Sequence, residues 1–159
     1  SEKNEIFTFG SFNNFRKISP ETVDTWSSIL QSVSNSKLIL KSSTFCDANS
    51  LLNKFKKYGI ENKVTILDKV NFNKKKDHLE LYNKVDLALD TFPYNGVTTT
   101  FEALWMNVPV IVLKGYNFNS RCGESININL QMENFIAKNK DEYFEKAILL
   151  QNKSDYFNR

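Results

Sequence analysis

The chain has 159 residues, 41% of them hydrophobic, which suits one globular domain with its own core. Its formal net charge of +3 comes from abundant lysine with little arginine, which argues against a nucleic-acid surface built from clustered arginines and aromatic platforms. No apolar run approaches a membrane span, the N-terminus has no signal-peptide layout, and Ser1 in place of an initiator methionine predicts a piece of a longer protein.

Strand and helix patterns then alternate along the chain. Ile6–Phe12 is a β-rich apolar run. Ser19 and Pro20 open a helix, as N-cap and first helical residue, with apolar spacing from Thr22 to Leu30. Lys37–Leu40 is a second strand, and Asp47–Tyr58 a second helix closed by Gly59. Val64–Leu67 is a third strand, and Lys76–Asn83 a short helix. Val85–Phe92 is a fourth strand, Thr98–Met106 a fourth helix and Pro109–Leu113 a fifth strand. Arg121–Leu130 and Asp141–Leu150 finish the chain as helices, and Leu104 and Trp105 are expected in the core. Strands separated by helices imply right-handed crossovers and a parallel sheet. Near-continuous apolar strands such as Val110–Leu113 suit a sheet covered on both faces. The expected fold is α/β, a Rossmann-like doubly wound parallel sheet, with residues 1–159 as a single lobe. Ligands bind such sheets outside the carboxyl ends of the strands.

The segment Asp90–Gly115 is the most informative. It reads as a strand end, a Pro/Asn/Gly turn, three threonines, a helix and another buried strand. Asn95-Gly96 predicts a turn with positive φ. Thr98, Thr99 and Thr100 can cap the helix and offer hydroxyls beside its unpaired first amides, a setting that suits phosphate. Glu102, one turn on, can accept from ribose hydroxyls. A diphosphate beside a sugar diol points to a nucleotide-sugar. In the loop after the first strand, Asn14 offers an amide and Lys17 a cation for phosphate. That loop is not a GxGxxG fingerprint, which removes the main support for a nicotinamide dinucleotide. After the third strand, Val70 is placed to line a base pocket, Lys75 to meet phosphate or base, and His78 to pack on the base ring; by residue type the same loop also reads as a solvated basic turn. Arg121 either approaches the phosphates or ties its loop to the sheet. Cys46 and Cys122 form no CxxC pair and His78 is the one histidine, so no metal site can be assembled. Two ordinary thiols predict a reducing, cytoplasmic compartment.

Three segments, Phe9–Trp26, Asp90–Gly115 and Asn119–Ser125, closely resemble the O-GlcNAc transferase/SPINDLY glycosyltransferases, family 41, in order and spacing. The resemblance runs from about Ile6 to Leu150. It implies the C-terminal, donor-binding lobe of a GT-B enzyme that takes a nucleotide-diphosphate sugar, usually UDP-GlcNAc, and transfers to protein hydroxyls. On that analogy Asn14 and Lys17 contact the diphosphate, with Lys17 the catalytic group. Lys75 and His78 contact the base, Thr98 and Thr99 the phosphates, and Glu102 the ribose. Val97 stands where the animal enzyme has histidine and Leu81 where it has arginine, so GDP-fucose stays open beside UDP-GlcNAc. The resemblance implies inversion at the anomeric carbon without a metal or other cofactor. It also places the first catalytic lobe and a TPR region, which would hold the protein acceptor, N-terminal to this chain, so the chain alone is expected to bind donor and transfer little. No nucleic-acid or membrane partner is expected. Two other classes compete. A response-regulator receiver would need an acidic pair where Gly10, Ser11 and Phe12 stand. A non-catalytic interaction domain would keep the fold and bind no nucleotide.

Overall fold

The computed structural model of the chain describes residues 6–41, 47–67, 75–115 and 118–152, with the side chains of 75, 76 and 118–120 outside the description. Val70 and Cys46 therefore lie outside the described residues. Six parallel strands form the sheet: β1 (Phe7–Ser11), β2 (Ser36–Lys41), β3 (Val64–Leu67), β4 (Leu87–Leu89), β5 (Val110–Leu113) and β6 (Ile136–Ala137). Their spatial order is β3-β2-β1-β4-β5-β6, so the winding direction reverses between β1 and β4. Gly10 of β1 lies opposite Ile39 of β2 on one side and Ala88 of β4 on the other. That reversal opens a crevice at the carboxyl ends of the two central strands.

The helices are α1 (Pro20–Ser32), α2 (Ala48–Lys56), α3 (Lys75–Glu80), α4 (Thr98–Trp105), α5 (Phe118–Asn129) and α6 (Lys140–Asn152). Local chemistry explains their limits. The Ser19 hydroxyl accepts from the Thr22 amide at 3.1 Å, with Pro20 at the first position of α1. The Asp47 carboxylate accepts from the amides of Asn49 and Ser50 at the start of α2. Gly59, at φ 70°, turns the chain out after α2, a conformation that costs glycine no Cβ clash.

Apolar side chains cover both sheet faces. On one, Trp26, Ile29 and Leu30 of α1, Phe55 of α2 and Tyr143 and Ala147 of α6 pack on Phe9, Leu38, Leu87 and Ile111. On the other, Ala103 of α4, Val108 and the Leu81–Tyr82 turn pack on Ile39, Ala88, Val110 and Val112. The doubly wound architecture expected from alternation is thus present. No described helix is long and apolar enough to cross a membrane.

Three expectations need correction. The sheet has a sixth strand, β6, because a turn over Glu133–Phe135 delivers two residues to the edge of β5. The fourth strand is shorter than Val85–Phe92, since the chain leaves the ladder at Asp90 to build the next loop. Trp105 is 81% exposed, while Leu104, one residue earlier and turned by 100°, packs against the second core.

Candidate functional site

The loop from β4 to α4 is organised by a buried carboxylate. Asp90 Oδ1 accepts from the Gly96 amide at 2.9 Å, the Thr91 amide at 2.9 Å and Asn13 Nδ2 at 3.2 Å. Asn13 Oδ1 accepts in turn from the Thr99 hydroxyl, so one asparagine from the β1 loop clasps both ends of the β4–α4 loop. Asn95 extends the frame: its Nδ2 donates to Thr91 O at 3.1 Å and its Oδ1 accepts from the Gly123 amide of α5 at 3.1 Å. From below, the Tyr143 hydroxyl of α6 donates to Asp90 O at 2.8 Å while accepting from Trp26 Nε1 at 3.1 Å. A cavity of about 20 Å³ beside Ser11, Asn13, Asp90 and Thr99 lies behind this loop.

Gly96 is required here for a different reason from the one its Asn-Gly pair suggests. Its φ is not positive. A Cβ at this position would instead fall on Asn13 Oδ1 and Thr99 Oγ1, so a hydrogen at Gly96 is what lets the clasp close.

The threonines divide their work. The N-cap of α4 is Val97, with no side-chain cap bond, in place of the threonine cap expected from sequence. The first helical bond runs from the Phe101 amide to Val97 O at 3.2 Å, so the amides of Thr98, Thr99 and Thr100 are the unpaired first-turn donors. Thr100 is buried and spends its hydroxyl on Gly96 O, which turns it inward from any ligand. Thr99 spends its hydroxyl on Asn13, and Thr98 alone of the three is exposed. Lys17, half-buried at the end of the β1 loop, donates to Asn95 O at 3.1 Å across the crevice. An ammonium has three hydrogens, and this bond uses one of them. Asn14, beside it, uses its side-chain oxygen on the Arg16 amide at 3.0 Å and keeps its NH2.

At the other end of the site, His78 of α3 and Glu102 of α4 meet directly, Nε2 to Oε2 at 2.7 Å. Tyr82 donates its hydroxyl to Thr99 O at 3.2 Å and lies 3.4 Å from the same Glu102 oxygen. Burial, then the adjacent Glu102, raises the Tyr82 phenol well above its ordinary range, so it stays protonated as a donor. His78 Nδ1 sits 2.8 Å from Nζ of Lys41, the buried last residue of β2. Burial lowers the Lys41 ammonium from its ordinary value, against the opposing pull of Glu102 and Asp77. The imidazole packs beside Phe12 and Tyr82, each with ring centroids 5.9 Å away.

Among the remaining expected residues, Lys75 opens α3 and its side chain lies outside the description, as does all of Val70. Arg121 Nε lies 3.4 Å from Glu124 Oε2 within α5, and the other Glu124 oxygen is 3.4 Å from Lys114 Nζ, so Glu124 rather than Arg121 ties α5 to the end of β5. The structure thus brings Asn14, Lys17, Gly96, Thr98, Thr99, His78 and Glu102 to one rim. It adds Asn13, Lys41, Tyr82 and Asp90, whose roles depend on partners from other elements of the fold. The one local hint was Asn13 itself, the first of an Asn-Asn pair after a strand.

Asp90 also carries a pH signature. Burial pushes its carboxyl from 3.8 up to about 7, against the amides of Gly96 and Thr91, the Asn13 amide and the Lys17 charge, which favour the carboxylate. The folded protein therefore binds this proton more tightly than the unfolded chain. Its contribution to stability is greatest in acid, falls as pH rises from about 4 to about 7, and is flat above. Asp90→Asn, which cannot ionise, is expected to flatten that slope in urea melts taken across the window. An unchanged slope in the variant would assign the titration to another group.

The sequence matches the family model described as glycosyl transferase family 41 over residues 3–159. It is 39% identical over 92% of its length to a relative from Eustoma exaltatum subsp. russellianum, named as a probable UDP-N-acetylglucosamine–peptide N-acetylglucosaminyltransferase SPINDLY. A Caenorhabditis elegans UDP-N-acetylglucosamine–peptide N-acetylglucosaminyltransferase is 27% identical over 96% of the chain. The chain spans 16% and 13% of these two relatives, respectively. Among solved structures, a Thermobaculum terrenum O-GlcNAc transferase mutant superposes with a TM-score of 0.89 at 30% identity, over 96% of this chain and 29% of that one. The same fold recurs at 14% identity, with a TM-score of 0.52, in the lipopolysaccharide glycosyltransferase WaaG. With a family match over nearly its whole length and a Rossmann-like sheet shared with these enzymes, the chain belongs to glycosyl transferase family 41.

Proposed function

We propose that this chain is the donor-binding lobe of a protein O-glycosyltransferase and takes a nucleotide-diphosphate sugar of the UDP-GlcNAc type. The observation that carries this reading is the juxtaposition, across the sheet's reversal point, of Lys17 and the open amides of α4. A diphosphate set there meets a cation and a positive helix end together. Glu102, one turn further along the same helix, lies where the ribose of the same ligand would reach. The relatives' names supply the sugar and the peptide acceptor for those proteins, and the reading extends both to the parent of this chain.

In the transfer, the oxygen of an acceptor hydroxyl forms its bond to the anomeric carbon as the bond from that carbon to the diphosphate oxygen breaks. Attack opposite the leaving group inverts the centre. The diphosphate departs with the bonding electron pair, and Lys17 with the Thr98–Thr100 amides meets the charge it gains. A cation and three amides do the work a divalent metal does elsewhere, so donor binding is metal-independent on this reading. The hydroxyl's proton leaves toward a group outside this chain, in the second lobe that completes a GT-B cleft.

Calorimetric titration of the chain with UDP and with GDP, each with and without Mg²⁺, tests the reading. Binding of one nucleotide at equal affinity with and without the metal is the expected outcome, and it also names the base. GDP in preference to UDP would move the donor to a GDP-sugar such as GDP-fucose. Binding that requires Mg²⁺, or no binding of either, would overturn the proposal for this chain.

A further inference from the structure

Lys41 occupies an unusual place for a lysine. It ends a central strand and is only 5% exposed. A buried ammonium is costly unless its hydrogens find acceptors. One acceptor is His78 Nδ1 at 2.8 Å, and His78 Nε2 reaches Glu102 Oε2 at 2.7 Å, so β2, α3 and α4 are joined through one imidazole.

The chemistry of the three groups fixes the proton's place. An ammonium has no lone pair, so Nδ1 must be the acceptor. The single proton of the neutral ring then sits on Nε2 and is donated to the carboxylate. The opposite tautomer would set an N–H against the ammonium and a lone pair against the carboxylate, two repulsions in place of two bonds. Phe12 and Tyr82 beside the ring limit its swing. Glu102 is held by one oxygen, while its Oε1 has no hydrogen-bond partner among the described residues.

We propose that Lys41 is a positioning residue for the nucleoside end of the ligand: it locks His78 as the Nε2–H tautomer, which anchors one Glu102 oxygen and leaves the other for a ribose hydroxyl. The ligand role rests on the donor-lobe reading above; the tautomer does not. Lys41 touches no ligand in this scheme and acts through His78, much as the partner of a liganding histidine sets its tautomer at a metal site.

His78 is the one histidine in the chain, so its imidazole nitrogens can be read by ¹⁵N NMR without assignment by mutation. At mildly alkaline pH the wild type is expected to show a protonated Nε2 and a bare Nδ1. Lys41→Met, which keeps the length and removes the charge, should give a mixture of tautomers and weaken the binding of UDP or GDP by about tenfold. Glu102→Gln should keep the Nε2–H form, because the amide oxygen still accepts and Lys41 still donates. A protonated Nδ1 in the wild type would overturn the proposal. So would an unchanged tautomer in Lys41→Met, unchanged affinity despite a changed tautomer, or a flipped tautomer in Glu102→Gln; this last keeps a test available should Lys41→Met fail to fold. A wild type that shows the expected tautomer but binds neither nucleotide would remove the donor-lobe reading and the ligand role of Lys41, and leave the relay as a purely structural tie.

Discussion

A single methyl group added at Gly96 is expected to destabilise the protein by about 1–3 kcal/mol and to abolish nucleotide binding. The new Cβ would land on Asn13 Oδ1 and Thr99 Oγ1 and within 2.7 Å of Asn13 Cγ. None of these can retreat cheaply. Asn13 is buried and held by Asp90 and Thr91, and Thr99 is fixed by the first turn of α4. The clasp must open, and with it the β1 loop parts from the helix start, carrying Lys17 away from the amides it faces. Urea unfolding measures the first effect and calorimetry the second. Wild-type stability in Gly96→Ala would mean that the loop relaxes without cost and that the clasp is not what shapes the site.

Lys17→Met is expected to do the reverse, leaving stability within about 1 kcal/mol while lowering nucleotide affinity by roughly 10–100-fold. The side chain is half-buried at the rim, and its one hydrogen bond among the described residues goes to a single backbone carbonyl, that of Asn95. Its loss to a bound diphosphate is larger, since a charge-assisted bond to phosphate is removed where the helix end alone must then hold the anion. Parallel melting and titration of the variant separate the two quantities. Affinity equal to wild type would take Lys17 out of the site and leave the α4 amides as the sole phosphate determinant. Together the two substitutions distinguish residues that build the crevice from residues that act in it.

Much of this architecture is written in local pattern. The capping of α1 by Ser19 and Pro20, the Gly59 exit from α2 and the apolar run of β5 are each decided within a few residues, and they match the structure. What escaped the sequence depends on distant partners. Asn-Gly at 95–96 reads as a left-handed turn, yet the glycine serves a contact with Asn13, more than eighty positions away. Three adjacent threonines look equivalent, but one helical turn sends Thr98 outward and Thr100 inward. Lys41 falls one residue past the Lys37–Leu40 run expected as a strand, with no local motif to single it out. Only the fold reveals that His78 and Glu102 converge on it. Two residues of β6 carry too little periodicity to register as a strand at all.

The chain's two tryptophans sit in opposite surroundings: Trp26 is fully enclosed and Trp105, on the helix that follows the β4–α4 loop, is 81% exposed. Their emission should therefore resolve into a short-wavelength component that iodide cannot quench and a long-wavelength one that it can. The first follows the integrity of the core, through the indole bonded to Tyr143. The second watches the outer flank of α4. Any body that comes to rest on that flank will shift the red component toward the blue and shield it from iodide, with no label attached and the blue component unmoved as the internal standard.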